Sequence, residues 1–105
     1  MRVKFLDQAK TDLVEINQYY RDIGGVVLAR KMLTRIKNPV LALKDNPEIA
    51  QPYELAPGIR RLVVADGTFL VFYRVSDTIE VLHVRRSERM PASAHELEAA
   101  KKHAL

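Results

Sequence analysis

The chain contains no cysteine. That excludes a disulfide framework and all thiol chemistry. Its three histidines, His83, His95 and His103, lie too far apart for their spacing to suggest a metal site, and neither a metal nor another cofactor is expected. No apolar run approaches the roughly 20 residues needed to cross a bilayer. The opening MRVKF turns polar at once instead of entering a signal-peptide core. A cytoplasmic protein without membrane association is therefore expected. Internal repeats and low-complexity segments are absent as well. Charge of one sign is not concentrated anywhere: residues 1–57 carry nine Lys/Arg against seven Asp/Glu, residues 58–90 six against four, and the last fifteen balance. A formal charge of +4 raises the question of nucleic-acid binding. Excess charge spread this evenly argues against phosphate binding as the main role, because such binders concentrate theirs in a stripe.

What is present is enough for one domain. A chain of 105 residues, 48% hydrophobic and 29% charged, supports a single core and no second independent unit. Its strongest local signal lies between Ala56 and Arg86, where three apolar runs (Ile59 to Ala65, Phe69 to Val75, Ile79 to Val84) are separated by Asp66-Gly67 and Ser76-Asp77. Asp-Gly between β-branched and aromatic runs predicts a type I′ hairpin, whose central residues need φ > 0. An antiparallel three-stranded meander follows.

Upstream, Arg2 to Leu6 alternates with period two, as a short charged edge strand does. Asp7 stands where an N-cap would, and Leu6, Ala9, Leu13, Ile16 and Tyr20 then form one apolar helical stripe with Asp12 and Glu15 on its outer side. Gly24-Gly25 closes this helix. A second helix carries Ala29, Met32, Leu33, Ile36, Val40 and Leu43 in register and stops at Asp45-Asn46-Pro47. Pro39 removes the hydrogen bond to the Arg35 carbonyl, which predicts a kink or break near Lys37-Asn38. Pro47, Pro52 and Pro57 stiffen the connector that follows, with Tyr53 and Leu55 available to pin it to the core. The expected fold class is α+β, in the order β-α-α-β-β-β: an N-terminal edge strand and an αα-hairpin packed on the C-terminal antiparallel meander. Residues 90–105 add a tail or short helix, for which Ser93 and Glu96 form a capping box ahead of Leu97, Ala100 and Ala104.

The meander strands are apolar on both alternating sets. Phe69, Val71, Tyr73 and Val75 lie on one side of their run, with Leu70 and Phe72 on the other. A sheet covered on one face alternates more cleanly. The second face is therefore expected to be covered too, by the tail or by another protein.

The wording of these segments is more specific than their order. NPEIAQP at 46–52, PGIRRLVV at 57–64, FLVFYRV at 69–75 and IEVLHVRR at 79–86 closely resemble the RelE/ParE toxin superfamily, and most of all its ParE or plasmid-stabilisation branch. The resemblance runs over about residues 2–86 and treats the whole chain, 1–105, as one toxin domain. It implies the toxin of a type II toxin–antitoxin pair, neutralised by a cognate antitoxin in a hetero-oligomer. The ParE branch implies inhibition of DNA gyrase by protein binding. The RelE branch, the alternative, implies ribosome-dependent cleavage of messenger RNA.

Cleavage through 2′-hydroxyl attack needs a proton acceptor, a proton donor for the leaving oxygen, and cations for the charged phosphorane. RelE-like nucleases, by the same resemblance, place basic residues on the meander strands and an aromatic or histidine near the C-terminus. Here the position that would hold one such arginine is Leu70. The residues form a set rich in cations and poor in an obvious acid–base pair, so no catalytic residue is assigned; the nuclease alternative would use Arg61, His83, Arg85 and Arg86. Candidates for target binding are Arg60, Arg61, Arg74, Arg85, Arg86 and Arg89, and for antitoxin binding Leu62, Val64, Leu70 and Phe72. Several have plainer readings. Arg60 and Arg61 point to opposite faces, Arg74 is placed to pair with Asp77, and His83 alternates with Val81 and Arg85 as a packed strand residue would. His95 falls in a first helical turn, and Tyr19 and Tyr20 are partners within the helical hairpin. Arg85-Arg86 is the best functional pair, because cations where a strand leaves a sheet can meet an acidic partner.

Overall fold

The computed structural model describes residues 1–87 and Leu97. Its elements are β1 (Val3–Phe5), α1 (Asp7–Leu41), a 3-10 turn (Ala42–Lys44), β2 (Gln51–Pro52), β3 (Arg60–Val64), β4 (Phe69–Val75) and β5 (Ile79–Arg86). The five strands form one sheet in the order β1-β5-β4-β3-β2. The meander β3-β4-β5 is antiparallel, as expected, and β1 adds to its β5 edge in parallel. Gln51–Pro52 within the connector pairs with Arg61 and Arg60 as a further edge strand that the sequence did not suggest.

Helical backbone runs from Asp7 to Leu41 with one interruption, at Gly25 (φ 87°, ψ −178°). That conformation is essentially restricted to glycine, so the expected stop stands at Gly25 itself. The two limbs, 7–24 and 26–41, lie side by side, since Asn17 and Arg21 line one groove with Thr34 and Leu41. Their inner stripes are the expected ones: Ala9, Leu13, Met32, Ile36, Val40 and Leu43 join Val64, Phe69, Val71, Tyr73, Ile79, Val81 and Val84 in one core.

Four local expectations are corrected. The N-cap is Leu6, not Asp7, and Asp7 instead places its charge in the first turn, where the helix dipole favours it. The helix does not break at Pro39: its dihedrals stay helical to Leu41 before tightening into the 3-10 turn, with Ile36, Val40 and Leu43 buried on either side of it. Tyr53 is buried in the core but Leu55 is exposed, so Tyr53 alone of the two pins the connector. Arg74 pairs with Glu80, its direct cross-strand neighbour, rather than with Asp77.

The Asp-Gly hairpin is as predicted. Asp66 (φ 54°) and Gly67 (φ 87°) both sit in the left-handed region, and the Thr68 N–H donates to the Ala65 carbonyl across them at 3.1 Å. Arg35 reaches down from α1 to pair with Asp66.

The second sheet face has its own small core of Leu6, Tyr53, Ala56, Ile59, Phe72, Leu82 and Leu97. Leu97 is fully buried there. The chain thus covers part of the face that the doubly apolar strands had marked, while Val63 of β3 remains 53% exposed. The rest of the expected tail helix lies outside the described residues. Among the described residues no helix is long and apolar enough to cross a membrane.

Candidate functional site

The site is built where β1 runs out. Its last bond to β5 is Leu6 N–H to the Val81 carbonyl, at 2.9 Å, and beyond that point β5 has no strand on this side among the described residues. Just there β5 also carries a bulge. Phe72 pairs with His83 but Tyr73 pairs with Val81, leaving Leu82 as the extra residue. A bulge of one residue reverses which side chains face which way. Val81 and Val84 therefore both enter the core under α1, and Arg86, opposite Phe69, faces the helix as well. Simple alternation groups His83 and Arg85 with Val81. In the structure His83 lies opposite Phe72 and Arg85 opposite Leu70, both on the second face.

Asp12 fills the gap at this edge. It is buried, at 7% exposure, and not on the outer side of the helix as its position suggested. Its Oδ2 accepts from the Val84 N–H at 2.9 Å and from His83 Nδ1 at 2.5 Å, and its Oδ1 accepts from Gln8 Nε2 at 2.8 Å. Burying a carboxylate is tolerable only with such partners. The register explains the placement: Asp12 follows Ala9 by three and precedes Ile16 by four, which sets it on the flank of the apolar stripe. The carboxylate also fixes Nδ1 as the protonated ring nitrogen of His83.

Asp12, Glu15, Ile16, Tyr19, Phe69 and His83 through Arg86 line a cleft of about 160 Å³. Arg86 is braced by aromatic rings within it. Its guanidinium carbon lies 4.5 Å from the centre of Tyr19, 5.5 Å from Phe69 and 5.9 Å from Tyr20. Tyr19 and Tyr20 meet edge to face at 5.1 Å. Such stacking restricts a long side chain at little enthalpic cost. The two tyrosines, read from sequence as partners within the helical hairpin, thus hold a candidate binding residue. Arg85 is 9% exposed.

Against this geometry, the description "ParE toxin of type II toxin-antitoxin system, parDE" matches residues 3–91. The chain belongs to the ParE toxin family. Toxin ParE1 of Caulobacter vibrioides is 34% identical over 89 residues, which span 84% of this chain and 90% of that toxin. A solved structure described as the chromosomal ParDE TA system from P. aeruginosa superimposes with a TM-score of 0.76 at 28% identity, covering 84% of this chain and 97% of that one. The residues matched by the family include every element of the sheet and α1.

In this ParE-family toxin the remaining candidates are dispersed. Arg60 donates to the carbonyls of Ala50 (2.7 Å) and Glu48 (3.2 Å), so its charge holds the connector. Arg61 is exposed beside the Tyr53 ring, 5.9 Å from its centre. It shares a cross-strand row with Phe72 and His83, but buried Phe72 stands between the two polar groups. Arg74 lies at the other end of β4, paired with Glu80. Arg89 and His95 are outside the described residues. The four antitoxin candidates divide between faces: Leu62 and Val64 pack into the core under α1, Phe72 is buried in the second core, and Leu70 is half-buried against it. They do not form one surface, because Leu62 and Val64 oppose Val71 and Phe69 while Leu70 and Phe72 point the other way.

Proposed function

We propose that this toxin acts by binding DNA gyrase and is neutralised by a cognate antitoxin. Supporting this reading is the ParE-family match over residues 3–91, which ends just past the paired arginines Arg85 and Arg86. Arg86 in its aromatic bracket is a preorganised cation of the kind that anchors protein interfaces, where arginine and tyrosine are enriched. The antitoxin is proposed on the same family ground, with a hetero-oligomer as the resting form in the cytoplasm. Purified toxin is expected to abolish gyrase supercoiling while transcripts stay intact.

One observation favours a second reading. The Asp12–His83 contact orients an imidazole by a carboxylate, as in general acid–base sites, and Arg85 and Arg86 follow on the same strand. A ribosome-dependent endoribonuclease of the RelE type could use them. Rapid transcript cleavage with normal supercoiling would establish that reading and remove the first.

A further inference from the structure

We infer that Asp12 is a positioning residue: its carboxylate stands in for the missing continuation of β1 and holds the end of β5 that carries His83, Arg85 and Arg86. The functional consequence rests on the proposal that this end of β5 meets the target. A strand edge left without a neighbour exposes N–H groups and frays. β1 supplies β5 with partners only as far as Val81. The Val84 N–H, past the bulge, is instead satisfied by Asp12 Oδ2. That same oxygen accepts from His83 Nδ1, and Gln8 holds the other oxygen from the preceding turn of α1. One helical carboxylate therefore fixes both the backbone of the strand and the ring orientation of a cleft residue. Arg85 and Arg86 follow directly after this anchor as the last two residues of β5, paired among the described residues on one side only, with Leu70 and Phe69 of β4, so their direction depends on it. The sheet could be covered by α1 without any polar group here, since Ala9, Leu13 and Ile16 already pack against it. What the carboxylate adds is a defined path for the strand end.

The test uses the full chain, with amide hydrogen exchange, ring-nitrogen spectra of His83 and gyrase inhibition measured together. In Asp12→Ala, exchange at Val84, Arg85 and Arg86 is expected to accelerate by about tenfold or more, as loss of a charge-assisted bond at a strand edge implies, while β3 and the half of β5 that β1 covers stay near wild type. Inhibition of gyrase should weaken by about tenfold in parallel. In Asp12→Asn, an amide oxygen in the place of Oδ2 can still accept from both Val84 N–H and His83 Nδ1, and the NH₂ group takes the place of Oδ1 facing Gln8, whose own amide can turn to accept from it. Val84 protection and the proton on His83 Nδ1 are then expected to be retained, whereas in Asp12→Ala the proton, released from the carboxylate, is expected to move from Nδ1 to Nε2, visible in the nitrogen spectrum. Unchanged exchange at Val84 to Arg86 in Asp12→Ala overturns the inference, as does acceleration spread evenly over the sheet. It is also overturned if that variant inhibits normally while Arg86→Ala does not. Full inhibition by Arg86→Ala rejects the target reading instead, and the exchange and tautomer results then decide the role of Asp12 by themselves.

Discussion

At the scale of single residues, buried polar groups decide more than their number suggests. Tyr73 is fully buried, and its hydroxyl donates to the Pro47 carbonyl at 2.8 Å, tying the connector to the sheet. Burial pushes its pKa above the ordinary value, against the opposing pull of an Ala50 backbone hydrogen bond and the nearby Arg60 charge. The folded state therefore keeps this proton more tightly than the unfolded chain. Its contribution is intact below pH of about 10, the unfolded value, and is lost as pH rises through the folded one. In Tyr73→Phe this alkaline loss should vanish from a denaturation series taken across that range. At neutral pH the same variant leaves the Pro47 carbonyl without its donor and should lose about 1–2 kcal/mol in urea unfolding.

At the scale of elements, one backbone position makes a hairpin of what would otherwise be a single helix. Gly25 adopts φ 87° and ψ −178°, and among the described residues no heavy atom beyond its own chain neighbours lies within 4 Å of where a Cβ would stand. Gly25→Ala therefore meets no steric neighbour, and its cost is backbone strain alone. A loss of about 1–3 kcal/mol is expected, seen as a lower denaturant midpoint at unchanged slope. An unchanged midpoint would mean that the turn tolerates a side chain and that glycine is not what reverses the helix. Pro39 is the opposite case. A residue that ordinarily disrupts a helix interior by about 3 kcal/mol sits on an exposed face, one residue before buried Val40, and the helix runs on past it for one more turn. The apolar side chains around it, Ile36, Val40 and Leu43, hold that segment on the sheet.

At the scale of the whole molecule, the sheet separates two cores of unequal size. The larger lies under α1, and the smaller is closed by Tyr53 and Ala56 from the connector, Leu6 from the chain entering α1, and Leu97 from the tail. Leu97 is far from these partners in sequence, so its burial joins the end of the chain to the back of the meander. Leu97→Ala should lower global stability by about 2–5 kcal/mol, the range for a large side chain removed from a core, read from thermal or chemical unfolding. A loss below about 0.5 kcal/mol, typical of surface substitutions, would show that the second face does not depend on the tail.

The sequence by itself determined the elements whose signals are local. The helical stripes from Ala9 to Leu43, the Asp66-Gly67 hairpin and the three meander strands each follow from spacing and turn chemistry within a few residues, and the family resemblance rested on those same strings. The doubly apolar strands also showed that both faces would be covered. Tertiary structure decided what depends on register between distant segments. A bulge at Leu82 is invisible in a run of apolar residues, yet it turns Arg86 toward Tyr19 and takes His83 away from the face of Val81. The short reach of β1 is what leaves an edge for Asp12 to complete. Asp12 reads as a solvent-facing helix residue because its partners are 71 and 72 positions away, and a carboxylate on the flank of an apolar stripe becomes buried only when a strand ends beside it.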